Sequence, residues 1–251
     1  MSTLLSAPRL RSTHLPALPR GFLIHHLLWP LAAATLASVF LMHAGGDRWL
    51  ADALFQLEGG RWALREHWAT SGVIHQGGKW ASVLAALAVL ALYLRALRDR
   101  RWASLRQPLL YLLLAAGLGS AGVSLLKSVT HVDCPWDLVG YGGSRTPVGL
   151  FVSRASDAPR GVCYPAGHAS AGYAWVSLYF AALLWRPRWR WWGLGIGLGT
   201  GLLFGIGQQL RGAHFLSHDI AALAVCWLVS LGLFVLCHSR ASRVAADGGA
   251  A

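Results

Sequence analysis

The chain has 251 residues, of which 55% are apolar and only 13% are charged, and its formal net charge is +12. So apolar a composition excludes an ordinary water-soluble domain and indicates an integral membrane protein. Because the arginines gather beside apolar segments, we expect them to orient the chain in a membrane, and we expect no nucleic-acid partner.

Six apolar segments approach or exceed the length of about 20 residues that a bilayer-spanning helix needs. In chain order they cover about 22–44, 80–97, 109–126, 169–185, 192–210 and 220–237. The predicted fold class is therefore all-α, a polytopic membrane protein with six transmembrane helices. Residues 21–238 form the membrane domain in this prediction. Residues 1–20 form a cytoplasmic N-terminal tail and residues 239–251 a disordered cytoplasmic tail.

Two polar segments lie between these spans. Residues 45–78 alternate charged side chains with Trp and Leu, an amphipathic pattern that predicts one or two helices lying on the membrane surface. Residues 127–166 contain four prolines and the pair Gly142-Gly143, so they cannot be helical throughout. We interpret the second segment as a long loop outside the bilayer.

The arginines predict which side of the membrane each connection faces. They precede the first span, separate the second from the third and the fourth from the fifth, and follow the sixth. Since basic connections face the cytoplasm, both termini are expected there. The segments 45–78 and 127–166 then face the opposite compartment, together with the connection after residue 210. In a bacterium that compartment is the periplasm.

Three polar clusters fall on this outer face, where polar residues beside apolar segments are costly. They are Lys127 with Cys134-Pro135; Pro165-Ala166-Gly167-His168; and Arg211, His214, His218 and Asp219. Their order resembles the motifs of the type-2 phosphatidic acid phosphatase (PAP2) family. Those motifs are Lys, six residues, Arg-Pro; then Pro-Ser-Gly-His; then Ser-Arg, five residues, His, three residues, Asp. The resemblance covers about residues 80–238 and implies a helical bundle core of the PAP2/haloperoxidase type.

The resemblance also implies catalysis through a phosphohistidine. His214 would attack phosphorus and store the phosphoryl group, which divides one difficult step into two. Asp219 would orient the His214 ring and favour its cationic form after attack. His168 would protonate the leaving oxygen and later accept a proton from water.

Phosphate binding is implied for a further set of residues. Lys127 and Arg211 would neutralise the phosphoryl oxygens, and backbone N–H groups around Gly167 would add donors. The arrangement requires no cofactor and no metal ion. His131, Asp133 and Asp137 have a spacing that matches no strong metal-ligand signature.

The motifs depart from the family pattern at several positions. Cys134 stands where an Arg is expected, and Ala166 replaces the Ser of the second motif. If His214 is aligned with the attacking His, Gln208 falls at the Arg position and His218 at the Asp position. A register that aligns Arg211 instead makes His218 a rival nucleophile.

We prefer His214 as the nucleophile, because an aromatic residue, a Ser and then an acidic residue still follow it. A helix over residues 211–218 would place Arg211, His214 and His218 on one face. Asp219 would then point elsewhere, which counts against its orienting role.

The cysteines at the two ends of the outer loop lead to a further hypothesis. Cys134 and Cys163 both face a compartment where disulfides persist, so we expect them to be bonded. Such a bond would position the site, while the missing Arg charge would come from Arg145, Arg154 or Arg160.

The predicted function is that of a membrane lipid phosphate phosphatase acting at the outer face of a bacterial inner membrane. It would hydrolyse a phosphomonoester or pyrophosphate head group while the lipid stays in the bilayer. Two alternatives remain at this point. One is phosphotransfer from lipid to lipid, and the other is a non-catalytic membrane protein, either a degenerate family member or a histidine-ligated carrier.

Overall fold

The computed structural model of the chain describes residues 18–150 and 160–248, with side chains as far as residue 238. Over these ranges the protein is all-helical, as predicted, and its eight α-helices are α1 (Trp29–His43), α2 (Gly46–Leu57), α3 (Gly78–Arg98), α4 (Arg106–Thr130), α5 (Gly167–Tyr173), α6 (Ser177–Trp185), α7 (Arg190–Leu210) and α8 (Leu216–Gly248). The predicted cytoplasmic tail at residues 1–20 lies almost entirely outside the described ranges.

Four of the described helical stretches are long and apolar enough to cross a membrane. They are Ile24–His43, Trp68–Arg98, Arg100–Asp137 and Leu216–His238. They correspond to the first, second, third and sixth predicted spans and indicate a multi-pass membrane protein.

The segments predicted as the fourth and fifth spans are also helical. The fourth consists of α5 and α6 joined by the tighter turn Ala174–Val176, and the fifth is α7. Neither segment is among the four stretches apolar enough to span by length and composition. Glycine, tryptophan and hydroxyl side chains reduce their aliphatic content.

Two predicted boundaries differ from the structure. Residues 68–77, expected in the surface segment, form a wide π-helical stretch that runs directly into α3. The glycines at 72, 77 and 78 do not interrupt it, because apolar residues such as Val73 and Ile74 continue the helix. Similarly, α8 continues to Gly248 and includes most of the tail expected to be disordered. Ala and Arg, both strong helix formers, are frequent in that tail.

The core of the bundle lies between α4, α6 and α8, where Tyr111, Phe180 and Phe234 pack together. Against α5, helix α7 approaches unusually closely. A Cβ atom added at Gly172 would lie 2.6 Å from the backbone N of Gly201, so neither helix has room for a side chain there. This close packing fixes the position of α5, whose first residues carry the second motif.

Residues 46–77, here called the cover segment, lie over one end of this bundle. The Tyr141 hydroxyl of the long loop donates a 2.6 Å hydrogen bond to Asp52 of α2. The Phe55 and Trp62 rings, 5.2 Å apart, both pack against Tyr141. An added Cβ at Gly212, between α7 and α8, would meet the Trp62 ring. The cover segment therefore contacts both connections that carry predicted site residues.

Candidate active site

Lys127 lies in the last turn of α4 and points at the first residue of α5. An added Cβ at Gly167 would be 3.4 Å from Lys127 Nζ, so the ammonium group lies against the backbone of the Pro165-Ala166-Gly167-His168 motif. The structure thereby brings together the first and second sequence clusters. A cation beside backbone N–H groups can hold the oxygens of a phosphoryl group.

His214 lies in the short connection between α7 and α8 and is only 7% exposed. Its Nδ1 is 2.7 Å from the Cys163 carbonyl oxygen, so Nδ1 carries the proton and donates it to that carbonyl. This tautomer leaves the lone pair on Nε2, which is the atom available for attack on phosphorus.

The surroundings of His214 also hold its ring in the neutral form. Burial lowers the pKa of His214 well below its usual value of 6.5. Charges on His218, Lys127 and His168 lower this pKa further, while the hydrogen bond to Cys163 opposes them. The backbone geometry agrees with this coupling, because Ala166 N–H donates a 3.0 Å hydrogen bond to the His218 carbonyl and so joins the motif that contains His168, with Lys127 against it, to the start of α8. A neutral imidazole is the nucleophilic form.

The structure does not bring Asp219 to His214, in contrast to its expected orienting role. The Asp219 carboxylate accepts a 2.5 Å hydrogen bond from Gln209 Nε2, and an added Cβ at Gly205 would meet it. His218 stands near His214 instead, with the two Nδ1 atoms 3.4 Å apart. Each helical residue turns about 100° from the previous one, so His218 and Asp219 cannot face the same neighbour.

His168 is held between α7 and the cover segment. Its Nε2 is 3.3 Å from the Ile74 carbonyl oxygen. Its ring centroid lies 4.5 Å from that of His75 and 4.9 Å from that of Phe204. Sequence reasoning did not identify His75, since a lone histidine in an apolar run carries no motif.

Arg211 is 7% exposed, and the cover segment engages its guanidinium group. Arg211 Nε donates a 2.6 Å hydrogen bond to the Arg65 carbonyl, and a second nitrogen donates to Gln208 Oε1 at 3.3 Å. Its remaining nitrogen is 3.8 Å from the Glu66 carboxylate. In this state Arg211 anchors the cover segment, a contact that the sequence did not reveal.

Asp47 of α2 binds the beginning of α8 and is also 7% exposed. Its carboxylate accepts hydrogen bonds from the Ser217 backbone N–H at 3.0 Å and from the Ser217 hydroxyl at 2.5 Å. Burial raises the pKa of Asp47, although the Ser217 hydrogen bonds oppose that rise. An acidic side chain at a helix start satisfies free N–H groups, so Asp47 fixes the turn that precedes His218.

Cys134 and Cys163 are joined by a disulfide, with their Cα atoms 5.2 Å apart. The two loop segments that the disulfide connects also contact each other through the backbone, because Cys163 N–H donates a hydrogen bond to the Val132 carbonyl at 2.9 Å. Cys163, whose carbonyl accepts the hydrogen bond from His214, is thus held through both its side chain and its backbone N–H.

The arginines proposed to replace the missing charge are occupied elsewhere or lie outside the described residues. Arg145 forms ion pairs with Asp133 at 2.7 Å and with Asp137 at 3.7 Å. Arg160 donates a hydrogen bond to the Ser128 carbonyl. Arg154 falls in the range that the structure does not describe. Within residues 18–150 and 160–238, no three His, Cys, Asp or Glu side chains are grouped to hold a metal ion.

A family model described as the PAP2 superfamily matches residues 108–242 of the chain. A search of curated proteins found no match, and neither did a search of solved structures. The matched range covers nearly all of α4, all of α5 to α7 and most of α8, and it includes Lys127, His168 and His214. It begins after the cover segment, which completes the surroundings of these residues.

Proposed function

The chain belongs to the PAP2 superfamily, and on this basis we propose that it is a membrane phosphatase that hydrolyses the phosphomonoester or pyrophosphate head group of a lipid. Membership implies a phosphatase-type activity. The observation that carries the proposal for this chain is the His214 ring, held neutral with Nδ1 bonded to a carbonyl and with Lys127 and His168 nearby.

Each step of the proposed reaction uses one of these groups. His214 Nε2 forms a bond to phosphorus while the bond to the lipid oxygen breaks, and His168 in its protonated form gives that oxygen its proton. Water then attacks the phosphorus of the phosphohistidine and gives a proton to His168. The bond from phosphorus to His214 Nε2 breaks, so phosphate is released and His214 is restored. Lys127, joined by Arg211 if substrate displaces Glu66, neutralises charge on the phosphoryl oxygens.

We place this reaction at the outer face of a bacterial inner membrane, with six helical crossings and both termini in the cytoplasm. The four candidate spans support a multi-pass arrangement, and the arginine-rich connections support its orientation. In this arrangement α5 with α6, and α7, complete the six crossings within a membrane domain of residues 21–238. A site at the helix ends suits a head group whose lipid tail stays in the bilayer.

The test is phosphate release from a panel of lipid phosphates and diphosphates by the full-length protein in detergent, with EDTA present. We expect activity in the parent and a loss of at least about a hundredfold in His168→Ala and in His214→Ala. Protein denatured at alkaline pH, where a phosphohistidine is stable, should carry phosphate on His214, so the label should disappear in His214→Ala and persist in His218→Ala. The reverse labelling pattern would assign the nucleophile to His218.

The same assay separates the alternatives. Transfer of phosphate to an added lipid alcohol, in place of release, would indicate a phosphotransferase. A parent without activity on any member of the panel would favour a non-catalytic protein, while loss of activity on chelation would contradict a metal-independent reaction.

A further inference from the structure

We propose that the Cys134–Cys163 disulfide positions the nucleophile, because the Cys163 carbonyl takes over the orienting role that an acidic side chain has in the expected mechanism. This inference rests on the proposed function, since it concerns the geometry of His214 in that reaction. It assigns Cys163 as a positioning residue whose backbone oxygen acts and whose side chain fixes that oxygen in place.

The contacts of His214 carry the first step of this argument. Its Nδ1 bonds to the Cys163 oxygen at 2.7 Å, while the nearest acid in sequence, Asp219, bonds to Gln209. A carbonyl oxygen accepts only, so it selects the tautomer with hydrogen on Nδ1. Without such an acceptor the ring would be free to place its proton on Nε2, and the attacking lone pair would be lost.

The loop around Cys163 carries the second step. Pro165 follows two residues later, and residues 151–159 lie outside the structure's description. Cys163 itself is held by the disulfide to Cys134 and by the hydrogen bond that its N–H donates to the Val132 carbonyl, and the Thr130 hydroxyl donates to the carbonyl of the next residue, Tyr164. Gly161 packs against the backbone of Val132 with no room for a side chain. Residues 132–134 therefore serve as the support on which the orienting carbonyl rests.

The third step follows from where this support begins. Residues 132–134 continue directly from α4, whose last turn carries Lys127. The disulfide thus links the Cys163 carbonyl, which orients His214, to the end of α4, which carries Lys127. A displacement of about 1 Å in such an arrangement is enough to lower a rate about a hundredfold. Cys134, which replaces the Arg of the family motif, contributes geometry in place of charge.

The experiment compares the parent with the Cys134→Ala/Cys163→Ala double variant, each before and after dithiothreitol. Cys237→Ala is the matched control, because Cys237 is not part of the disulfide. We expect kcat to fall at least about tenfold in the double variant and in the reduced parent, with KM nearly unchanged. Reductant should have no further effect on the double variant and should lower kcat of Cys237→Ala as much as it lowers kcat of the parent. A further loss in the reduced double variant, or a Cys237→Ala variant that resists reductant, would contradict the proposal.

A spectroscopic measurement makes the test independent of turnover. In protein labelled with ¹⁵N-histidine, the ring shifts of His214, assigned with His214→Gln, should report hydrogen on Nδ1 in the oxidised parent. They should move towards a mixture of tautomers after reduction. An unchanged kcat and an unchanged tautomer in the double variant would overturn the proposal. An inactive parent would instead contradict the proposed function, and the ring shifts would still decide the role of the disulfide.

Discussion

At the scale of single residues, the site separates two side chains that are adjacent in sequence. His218 approaches His214, with the two Nδ1 atoms 3.4 Å apart, and its ring also packs edge-on against Tyr164. Asp219 faces the other way and is held by Gln209. The acid that the motif requires is thus present in the sequence but serves the contact between α7 and α8.

This division predicts a contrast between two conservative substitutions. Asp219→Asn keeps the shape of the side chain and does not touch His214, so kcat should stay within about threefold of the parent. His218→Gln removes a ring beside the nucleophile, so kcat should fall at least about tenfold. Steady-state kinetics on both variants measure the contrast. A large loss in Asp219→Asn with little loss in His218→Gln would restore the acid to its expected role.

Residue types and motif spacing predicted part of the candidate site, and the contacts that they missed have physical reasons. Lys127 and the Gly167 turn come together as the motif order suggests. The helix considered over residues 211–218 is wrong, because residues 211–215 form the connection between α7 and α8, although Asp219 does point away from His214 as that argument implied. By contrast, the Cys163 carbonyl could not be foreseen, because every residue has a carbonyl and only the fold decides which one is near a given ring.

At the scale of elements, the cover segment lies outside the range that the family model matches, yet it contacts the candidate site. It contributes Asp47 to the start of α8, the Arg65 carbonyl to Arg211, and His75 to His168. These contacts come from three different parts of the segment. The segment is therefore a structural component of the candidate site and more than a surface helix.

Asp47 provides the sharpest test of this component. Asp47→Ala removes both hydrogen bonds to Ser217 and should lower the free energy of unfolding by about 1–2 kcal/mol. Asp52→Ala on the same helix is the matched control, since the Asp52 side chain is exposed to solvent and its hydrogen bond to Tyr141 is expected to contribute less. Thermal unfolding in detergent measures both. Equal stability of the two variants would argue against the attachment of α2 to α8.

The existence of this component was predictable, while its contacts were not. The amphipathic pattern of residues 45–78 indicated helices on the outer face, and α2 is such a helix. The pattern does not specify which partner an exposed carboxylate or carbonyl will find, because periodicity reports one face of one helix. Because the π-helical stretch at residues 68–77 continues into α3, the structure has no break between the surface segment and the second span where the sequence predicted one.

At the scale of the whole molecule, the orientation of the chain decides which solution the histidines meet. In the orientation that we propose from the positive-inside rule, the Arg186–Arg190 connection faces the cytoplasm and the loop at residues 131–150 faces outside. Two variants that each add one cysteine to the parent sequence test this orientation directly. Thr146→Cys and Arg188→Cys both introduce a thiol at an exposed position, on opposite sides of the proposed membrane.

We expect a membrane-impermeant maleimide added to intact cells to label Thr146→Cys and to leave Arg188→Cys unlabelled. Both variants should react after the cells are opened, which controls for accessibility. A parent sample reports any reaction of Cys226 and Cys237, the two cysteines outside the disulfide. Labelling of Arg188→Cys in intact cells would contradict the proposed six crossings, since one crossing, formed by α5 and α6, lies between the two positions and must put them on opposite sides.

Helix α8 carries a consequence for where chemistry takes place relative to the lipid. It is a single helix from Leu216 to Gly248, with His218 near one end and Arg240 near the other. At 1.5 Å per residue, the distance between these two positions along the axis is about 33 Å. The hydrocarbon layer is about 30 Å thick. The length of α8 therefore matches the thickness of the membrane. In the proposed orientation, with Arg240 at the cytoplasmic boundary, His218 lies at the depth of the opposite head groups.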